Sequence, residues 1–491
     1  MRLKKMSIDA LSYDFWIRLI YLITVLFTVV TVIQQKGDPP KTISWILVII
    51  FLPVFGILLY FSIGKNYRKE KIFSRKGLSD LIRIREMAAA KGIGLPRNAS
   101  GARKIGAKVN IAKLLFNTEK AILSDHNHVQ VLNDGQATFR AILHSLQKAK
   151  HHIHLEYYII ENDKLGNKVR ELLVQKARQG VKVRVIYDDV GSWDLDKKFI
   201  GSLVEAGVEI YPFMPVKLWF YPLANKINYR NHRKIIVIDG KEGFVGGLNI
   251  ADRYIMGSEA LGSWRDTHLR IEGQAVYSLQ MIFMADWYFV SRQIVEATPH
   301  YFPELATQSE CMVQVVASGP DSEWASIMQA YFTAIATAKS EVFLTSPYFI
   351  PNESILTAIK ASALSGVDVR ILLPAKSDSR MTYWATLSYI TELLESGVKV
   401  YLYEKGFTHS KVMMVDRSFS SVGTANIDIR SFDQNFEINA LIYNEEITRE
   451  LRNRFMQDLK QSRLLTLEQW QTRPRHYHIK ESLARIFTPL L

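Results

Sequence analysis

Uncharged, largely apolar residues fill positions 19–35 and again 42–64, and only Lys36-Gly37-Asp38-Pro39-Pro40-Lys41 separates the two runs. The second run alone reaches the roughly 20 residues that cross a bilayer as a helix. Trp45, Tyr60 and Tyr67 lie near its ends, where aromatic rings favour the interface, and Pro53 is expected to kink it. With a turn-forming connection, the pattern predicts a transmembrane helical hairpin over 1–64. Arg2, Lys4 and Lys5 precede it and Lys65, Arg68, Lys69 and Lys71 follow, whereas the connection holds only Lys36 and Lys41. That bias places both termini, and the bulk of this integral, multi-pass chain, on the cytoplasmic side. A cleaved signal peptide is the competing reading of the first run. No small-residue cleavage site follows Ile33, however, and a second apolar run comes at once.

Residues 65–125 are basic and glycine-containing and read as a linker or membrane-proximal segment. Further on, short β-branched runs alternate with helical patterns, and the sequence of elements occurs twice. Val129-Gln130-Val131 opens one series and Val313-Gln314-Val315 the other. A helix ending in Ala149-Lys150 or Ala338-Lys339 leads in each to a strand, 153–160 or 342–350. A second helix then leads to Gly180-Val-Lys-Val-Arg-Val-Ile186 or Gly366-Val-Asp-Val-Arg-Ile-Leu372, and a third strand begins at Gly207 or Gly397. Such alternation predicts α/β units with largely parallel sheets, one over 126–306 and one over 307–491, related by pseudo-twofold symmetry. Residues 477–491, with Ile479, Leu483, Ile486, Phe487 and Leu490 among Lys480 and Arg485, are amphipathic and suit either a membrane surface or a plain packing helix.

Composition narrows the partners. The 491 residues carry a net charge of +14, which suits nucleic acid, an anionic membrane or phosphate-bearing substrates. With Cys311 the only cysteine, an intramolecular disulfide and any cysteine-built metal site are excluded, and a reducing compartment is expected.

The chemistry-bearing residues fall at matching places in the two units. His232-Arg-Lys234-Ile-Ile-Val-Ile-Asp239 in the first corresponds to His409-Ser-Lys411-Val-Met-Met-Val-Asp416 in the second. Gly246 and Asn249 correspond in the same register to Gly423 and Asn426. A lone His-x-Lys is noise; two copies in register, extended to a glycine and an asparagine, indicate a duplicated phosphate-handling site. Residues two apart on a strand share a face, so His232 points with Lys234 and His409 with Lys411. Asp239 and Asp416 belong to the same phrases and are candidates for catalysis with them. Their odd spacing turns them elsewhere, and Asp239-Gly240 is a hairpin signal, so a turn or scaffold role is preferred.

If the units face each other, two histidines, two lysines and two asparagines converge on one anionic group. One imidazole can attack phosphorus while the other protonates the leaving alkoxide. Lys234 and Lys411 neutralise the non-bridging oxygens, and the amides of Asn249 and Asn426 donate to them. This chemistry needs no metal and no cofactor. Each histidine needs an orienting partner, for which Asp266 (34 positions beyond His232) and Glu437 (28 beyond His409) are the candidates. His151-His152-Ile153-His154 lacks a carboxylate partner and reads as surface and core histidines rather than a metal site, and Met413-Met414 as core filling.

At these residues the chain resembles the phospholipase D superfamily, whose signature is the doubled His-x-Lys-x4-Asp, and most closely its bacterial cardiolipin synthases. The resemblance is carried by Glu156-Tyr157-Tyr158, Tyr187-Asp188-Asp189-Val190-Gly191-Ser192, Arg230-Asn231-His232-Arg233-Lys234 and Gly246-Gly247-Leu248-Asn249-Ile250 in the first unit. Trp264-Arg265-Asp266-Thr267-His268, Ser346-Pro347-Tyr348-Phe349-Ile350-Pro351, Arg430-Ser431-Phe432 and Asn435-Phe436-Glu437 extend it over nearly the whole chain. The resemblance implies a ping-pong transfer between two phosphatidylglycerol molecules in a bacterial cell membrane, giving cardiolipin and glycerol through a phosphatidyl-histidine. By family analogy His232 is the nucleophile and His409 the acid and then base, although the sequence itself is symmetric on this point. Phosphatidylglycerol and anionic lipids, not nucleic acid, are the implied partners. A hydrolase using water, a transferase using another headgroup and a non-catalytic lipid-binding scaffold are the alternatives; decay of one phrase would mark the scaffold, and both phrases are intact.

Overall fold

The computed structural model describes residues 2–34, 39–60, 105–216, 229–305 and 309–488. Most of the expected linker, its basic cluster at 65–71 and the last three residues lie outside them. The chain divides into two compact units, Met1–Glu70 with Val216–Asn228, and Lys71–Pro215 with Tyr229–Leu491.

In the first unit the helix Arg2–Gln34 contains a stretch, Phe15–Gln34, long and apolar enough to cross a membrane. The second apolar run is two helices, Pro39–Phe51 and Pro53–Leu59, rather than one kinked span. Proline cannot donate to the preceding turn and its ring clashes with it, so the helix stops at Leu52 and restarts with Pro53 in its first turn. Val32, Ile49 and Tyr60 bury one another with Val25, Val29 and Trp45, which pairs the helices as a hairpin. Ile20, Leu26, Phe27, Phe51 and Phe55 stay exposed, an outer surface suited to lipid.

The second unit holds both repeats. Seven strands of the first lie in the order Asn127–Leu132, His268–Gly273, Glu242–Gly246, Ile235–Ile238, His152–Tyr157, Lys182–Asp188 and Glu209–Phe213. The second repeats that order with Met312–Ser318, Glu437–Tyr443, Phe419–Gly423, Val412–Val415, Glu341–Thr345, Asp368–Pro374 and Lys399–Tyr403, flanked by Leu123–Ser124 and Ser462–Leu464. The expectation of largely parallel sheets needs correction. In the first repeat only His152–Tyr157, Lys182–Asp188 and Glu209–Phe213 run parallel; the strands that carry the site pair antiparallel. The reason is local: tight turns at Asp239-Gly240 and Asp416-Arg417, with φ of 53° and 66° and of 53° and 58°, return each chain as a hairpin.

Strand alternation then sorts the core. Ile235, Val237, Val412 and Met414 face the space between the two sheets, together with Val313, Ile438 and Phe343. Ile236 and Ile238, or Met413 and Val415, face the outer helices of their own repeat. The expected linker also ends early. The helix Val109–Glu119 buries Ile111, Ala112 and Leu115 in the second repeat's outer core, and Leu123–Ser124 pairs with Met312–Ser318.

Candidate active site

Both catalytic phrases begin where the two repeats exchange backbone hydrogen bonds. The His232 amide donates to the Phe436 carbonyl and the Phe436 amide to the Arg230 carbonyl, each at 2.9 Å. In the mirror arrangement Gly406–Thr408 pairs in parallel with Ser263–Arg265, and the His409 amide donates to the Arg265 carbonyl at 2.7 Å. Each histidine is therefore stitched to the strand of the other repeat, one residue before that repeat's candidate carboxylate.

The carboxylates consequently cross over. His232 Nδ1 lies 2.9 and 3.0 Å from the Glu437 oxygens, and His409 Nδ1 lies 2.9 Å from Asp266 Oδ2. An ionised carboxylate only accepts, so the Nδ1 of His232 carries the proton and its Nε2 keeps the lone pair. Residue parity holds locally as well. Arg233 turns away to pair with Asp286, while Lys234 Nζ donates to the His232 carbonyl at 2.7 Å. Lys411 Nζ bonds the His409 carbonyl at 2.6 Å and lies 2.9 Å from His409 Nδ1 and 3.1 Å from its Nε2.

All of these groups are buried, and burial dominates their acid–base behaviour. It pulls His232 down to about 4 against the pull of Glu437, and Lys234 and Lys411 lower it further. His409 is likewise pushed well below its ordinary value by burial and then by Lys411, with Lys234 and His232 adding to the shift. Each histidine thus feels the other repeat's lysine, which brings the four groups into one electrostatic field. Burial also brings Lys234 to about 7 and Lys411 to about 8.

The two carboxylates differ. Burial raises Glu437, but His232, Lys234 and the Thr424 hydroxyl more than offset it, and its pKa lies below the ordinary value. Gly247 stands where the second repeat has Thr424, and a Cβ there would fall 2.2 Å from Asp266 Oδ1. Burial holds Asp266 up at about 6 against the pull of Lys411 and the Thr267 amide.

Asp239 and Asp416 do not join the histidines; the structure corrects their placement among the catalytic residues. Asp239 accepts the amides of Lys150, His151 and His152 at 2.7–2.9 Å. Asp416 accepts those of Lys339 and Ser340 and pairs with Lys108 at 3.0 Å. They clasp the hairpin turn to the start of the neighbouring parallel strand, a four-residue strand away from the lysine. Asp239→Ala and Asp416→Ala are each expected to lower stability by about 2–3 kcal/mol, as loss of charge-assisted hydrogen bonds does. Thermal unfolding should show that loss, with kcat within about threefold of the parent.

Asn249 also sits one step back. Its amide donates to the Tyr254 hydroxyl at 2.5 Å and its oxygen accepts from Ile159, so it holds the Tyr254 ring 6.0 Å from that of His409. The buried Oδ1 of Asn426 has no hydrogen-bond partner among the described residues, while its side chain bonds Asp428 and its backbone N–H donates to Ser431 Oγ. Sequence reasoning assigned no part to the rings around the histidines, namely Tyr158 5.0 Å from His232 and Tyr348 6.5 Å from His409. Nor did it find the buried Asp188, which accepts from Val190, Gly191, Asn231 and Arg230 and shapes the approach to His232. Tyr158, Tyr348 and Asp188 all lie in the segments that carry the family resemblance, which was the available signal. His268 faces Lys234 across Gly246, and both its ring nitrogens lack a hydrogen-bond partner among the described residues. His152 and His154 are core residues bonded to Gln280 at 3.0 and 2.9 Å.

Two α/β repeats of the same strand order, whose buried histidine–lysine pairs act on one another's charge, define a phospholipase D-like phosphodiester-transfer fold. The family model described as "Cardiolipin synthase, PLD-like domain" matches residues 142–287 and 331–459, and "Phospholipase D-nuclease N-terminal" matches 22–65. A cardiolipin synthase of Geobacillus sp. (strain WCH70) is 43% identical over 98% of this chain and 96% of its own length. The major cardiolipin synthase ClsA of Bacillus subtilis (strain 168) is 41% identical over 96% of this chain and 98% of its own. The solved phosphatidylserine synthase of Haemophilus influenzae Rd KW20 shares the fold, with a TM-score of 0.59 at 14% identity over 78% of this chain and 97% of its own. The chain belongs to the cardiolipin synthases of the phospholipase D-like family. It is a membrane-associated phosphatidyltransferase acting on phospholipids.

Proposed function

We propose that the enzyme transfers the phosphatidyl group of one phosphatidylglycerol to the headgroup hydroxyl of a second through a phosphatidyl-His232 intermediate. His232 Nε2 attacks phosphorus while His409, which takes up a proton on Nε2 as the anionic phosphodiester enters beside it, gives that proton to the departing glycerol oxygen. His409 then takes the proton of the incoming glycerol hydroxyl, whose oxygen displaces His232 and regenerates the free imidazole. Lys234 and Lys411 hold the non-bridging oxygens in both half-reactions.

The crossed carboxylates are the observation that carries this reading, and their inequality supports the division of labour. A phosphorylated imidazole bears positive charge, which the firmly ionised Glu437 offsets at His232. The acid–base partner must gain and lose a proton each turnover, and Asp266, held up at about 6, is the softer anchor that leaves His409 free to do so. Asn249 is read as acting through Tyr254 rather than on phosphate directly, and Asn426 as reaching phosphate from a side chain that also bonds Asp428. The helical hairpin is read as crossing the membrane twice, with the catalytic unit on the cytoplasmic side, because basic residues flank both outer ends.

The test is a lipid assay on purified protein in micelles containing phosphatidylglycerol, with products measured by mass spectrometry. Cardiolipin and glycerol in equal amounts, at a rate unchanged by EDTA, are expected. Phosphatidic acid in place of cardiolipin would make the enzyme a hydrolase.

The pH profile follows from the buried groups. Raising pH neutralises Lys234 near 7 and Lys411 near 8, so kcat/KM, which reports the free enzyme, should fall above that range. Below about 6 Asp266 takes up a proton and loses the negative charge that anchors His409, which sets the acid limb. Bound phosphodiester favours the ammonium forms, so the alkaline limb of kcat should lie higher than that of kcat/KM. Initial rates across pH in both regimes check this.

A further inference from the structure

The site opens where the parallel strands of both repeats end. Tyr158 and Tyr348 lie just past strand ends, Asp188 closes its strand and Tyr254 lies in the short helix Arg253–Met256, and each lies beside a catalytic phrase or a catalytic ring. Within five residues of three of these contacts stands a large apolar side chain turned to solvent. Trp193 follows Asp188, Met256 follows Tyr254, and Met381 follows Asp378, the acceptor of the Tyr348 hydroxyl. Their exposures are 62, 68 and 42%.

The rim extends into the C-terminal helix. Helix Arg475–Ile486 packs on helix Arg380–Leu387, with the Trp384 and Tyr477 rings 5.2 Å apart and Lys480 over Trp384. It buries Glu481 and Ala484 and leaves Ile479, Leu483 and Ile486 outward at 61, 53 and 69% exposure. Spacings of four and three residues align these side chains in one ridge along the helix. A helix serving only to pack would turn that ridge inward. Lys376, Arg380 and Arg475 are exposed along the same rim and make no ion pair among the described residues.

We propose that this ridge, with Trp193, Met256 and Met381, is an interfacial surface that seats the mouth of the active site on an anionic phospholipid bilayer. The reacting phosphodiester of a lipid lies at headgroup depth. An apolar ridge that sinks to the boundary of headgroups and acyl chains brings the histidines to that depth, while the unpaired cations meet lipid phosphates. The occupant follows from the phosphatidyl-transfer reading above: the substrate is itself the surface.

The full-length protein with Cys311→Ser allows single cysteines at Leu483 and Trp193, with Leu364, exposed at 72% on another helix, as control. Each is labelled with an environment-sensitive fluorophore and reconstituted in phosphatidylglycerol nanodiscs. Labels at 483 and 193 should shift to the blue and be quenched by lipids spin-labelled near the headgroup, whereas the 364 label should be quenched by aqueous iodide. Iodide quenching at 483 equal to that at 364 would overturn the proposal. So would shielding from both quenchers, which marks a contact with a second copy. In the kinetic arm, Ile479→Glu, Leu483→Glu and Ile486→Glu combined should slow cardiolipin formation from bilayers by about tenfold and leave dispersed short-chain phosphatidylglycerol within about twofold. Equal losses on both substrates would mean a structural role and overturn it. If the parent makes no cardiolipin from either form, the transfer reading fails, and the quenching arm still decides the docking.

Discussion

His232→Ala is expected to lower cardiolipin formation by about four orders of magnitude or more, because it removes the atom that bonds phosphorus and no neighbouring group replaces it. His409→Ala should be as damaging with phosphatidylglycerol, yet for a separable reason. Its imidazole protonates a poor leaving group, the glycerol alkoxide. A phosphatidyl ester of p-nitrophenol leaves without that help. With it, His409→Ala should release one equivalent of p-nitrophenol per enzyme and then stall, since no base activates the acceptor. His232→Ala should give no burst at all. A burst from His232→Ala and none from His409→Ala would reverse the two roles.

Glu437→Gln carries the second large effect, about a thousandfold or more in kcat, comparable with the loss when a carboxylate that orients a catalytic histidine becomes an amide. The amide can accept or donate at Nδ1, so the tautomer with a lone pair on Nε2 is no longer enforced. The crossing of the repeats gives this prediction its edge. Glu437 belongs to the second repeat and serves the histidine of the first, at 2.9 Å. Glu437→Gln should therefore lose the p-nitrophenol burst as His232→Ala does. Asp266→Asn, although it lies in the first repeat, should keep the burst as His409→Ala does. Grouping by repeat instead of by contact would contradict the geometry.

Much of this was written in the chain. Period-two faces put Lys234 with His232 and Lys411 with His409, and the duplicated order of runs gave the duplicated order of strands. Parity also turned Asp239 and Asp416 away from the histidines, even though they stand in the same phrases; their clasp to residues 150–152 and 339–340 depends on a tertiary neighbour that no local pattern names. The exchange of Asp266 and Glu437 was hidden for a related reason. Sequence distance favours a partner in the same repeat, whereas the actual pairing is set by backbone bonds between repeats at Phe436 and Arg265. Asn249 looked like a phosphate ligand because an exposed amide would be one, and only packing shows it engaged by Tyr254. Pro53 reads as a kink in one span, and only the backbone at Leu52 shows it as a break. The inequality of Glu437 and Asp266 rests first on His232, whose charge and hydrogen bond hold Glu437 down, with Thr424 adding to it where the first repeat has Gly247; no local pattern shows either contact.

The measurement that bears most directly on the mechanism is to locate the covalent intermediate. His409→Ala is loaded with the p-nitrophenyl lipid, quenched in alkali to preserve phosphoramidate bonds, digested and mapped by mass spectrometry. A phosphatidyl group on Nε2 of His232, absent when His232→Ala is added, is the predicted result. An adduct on any other residue, or phosphatidic acid formed with no adduct at all, would contradict it.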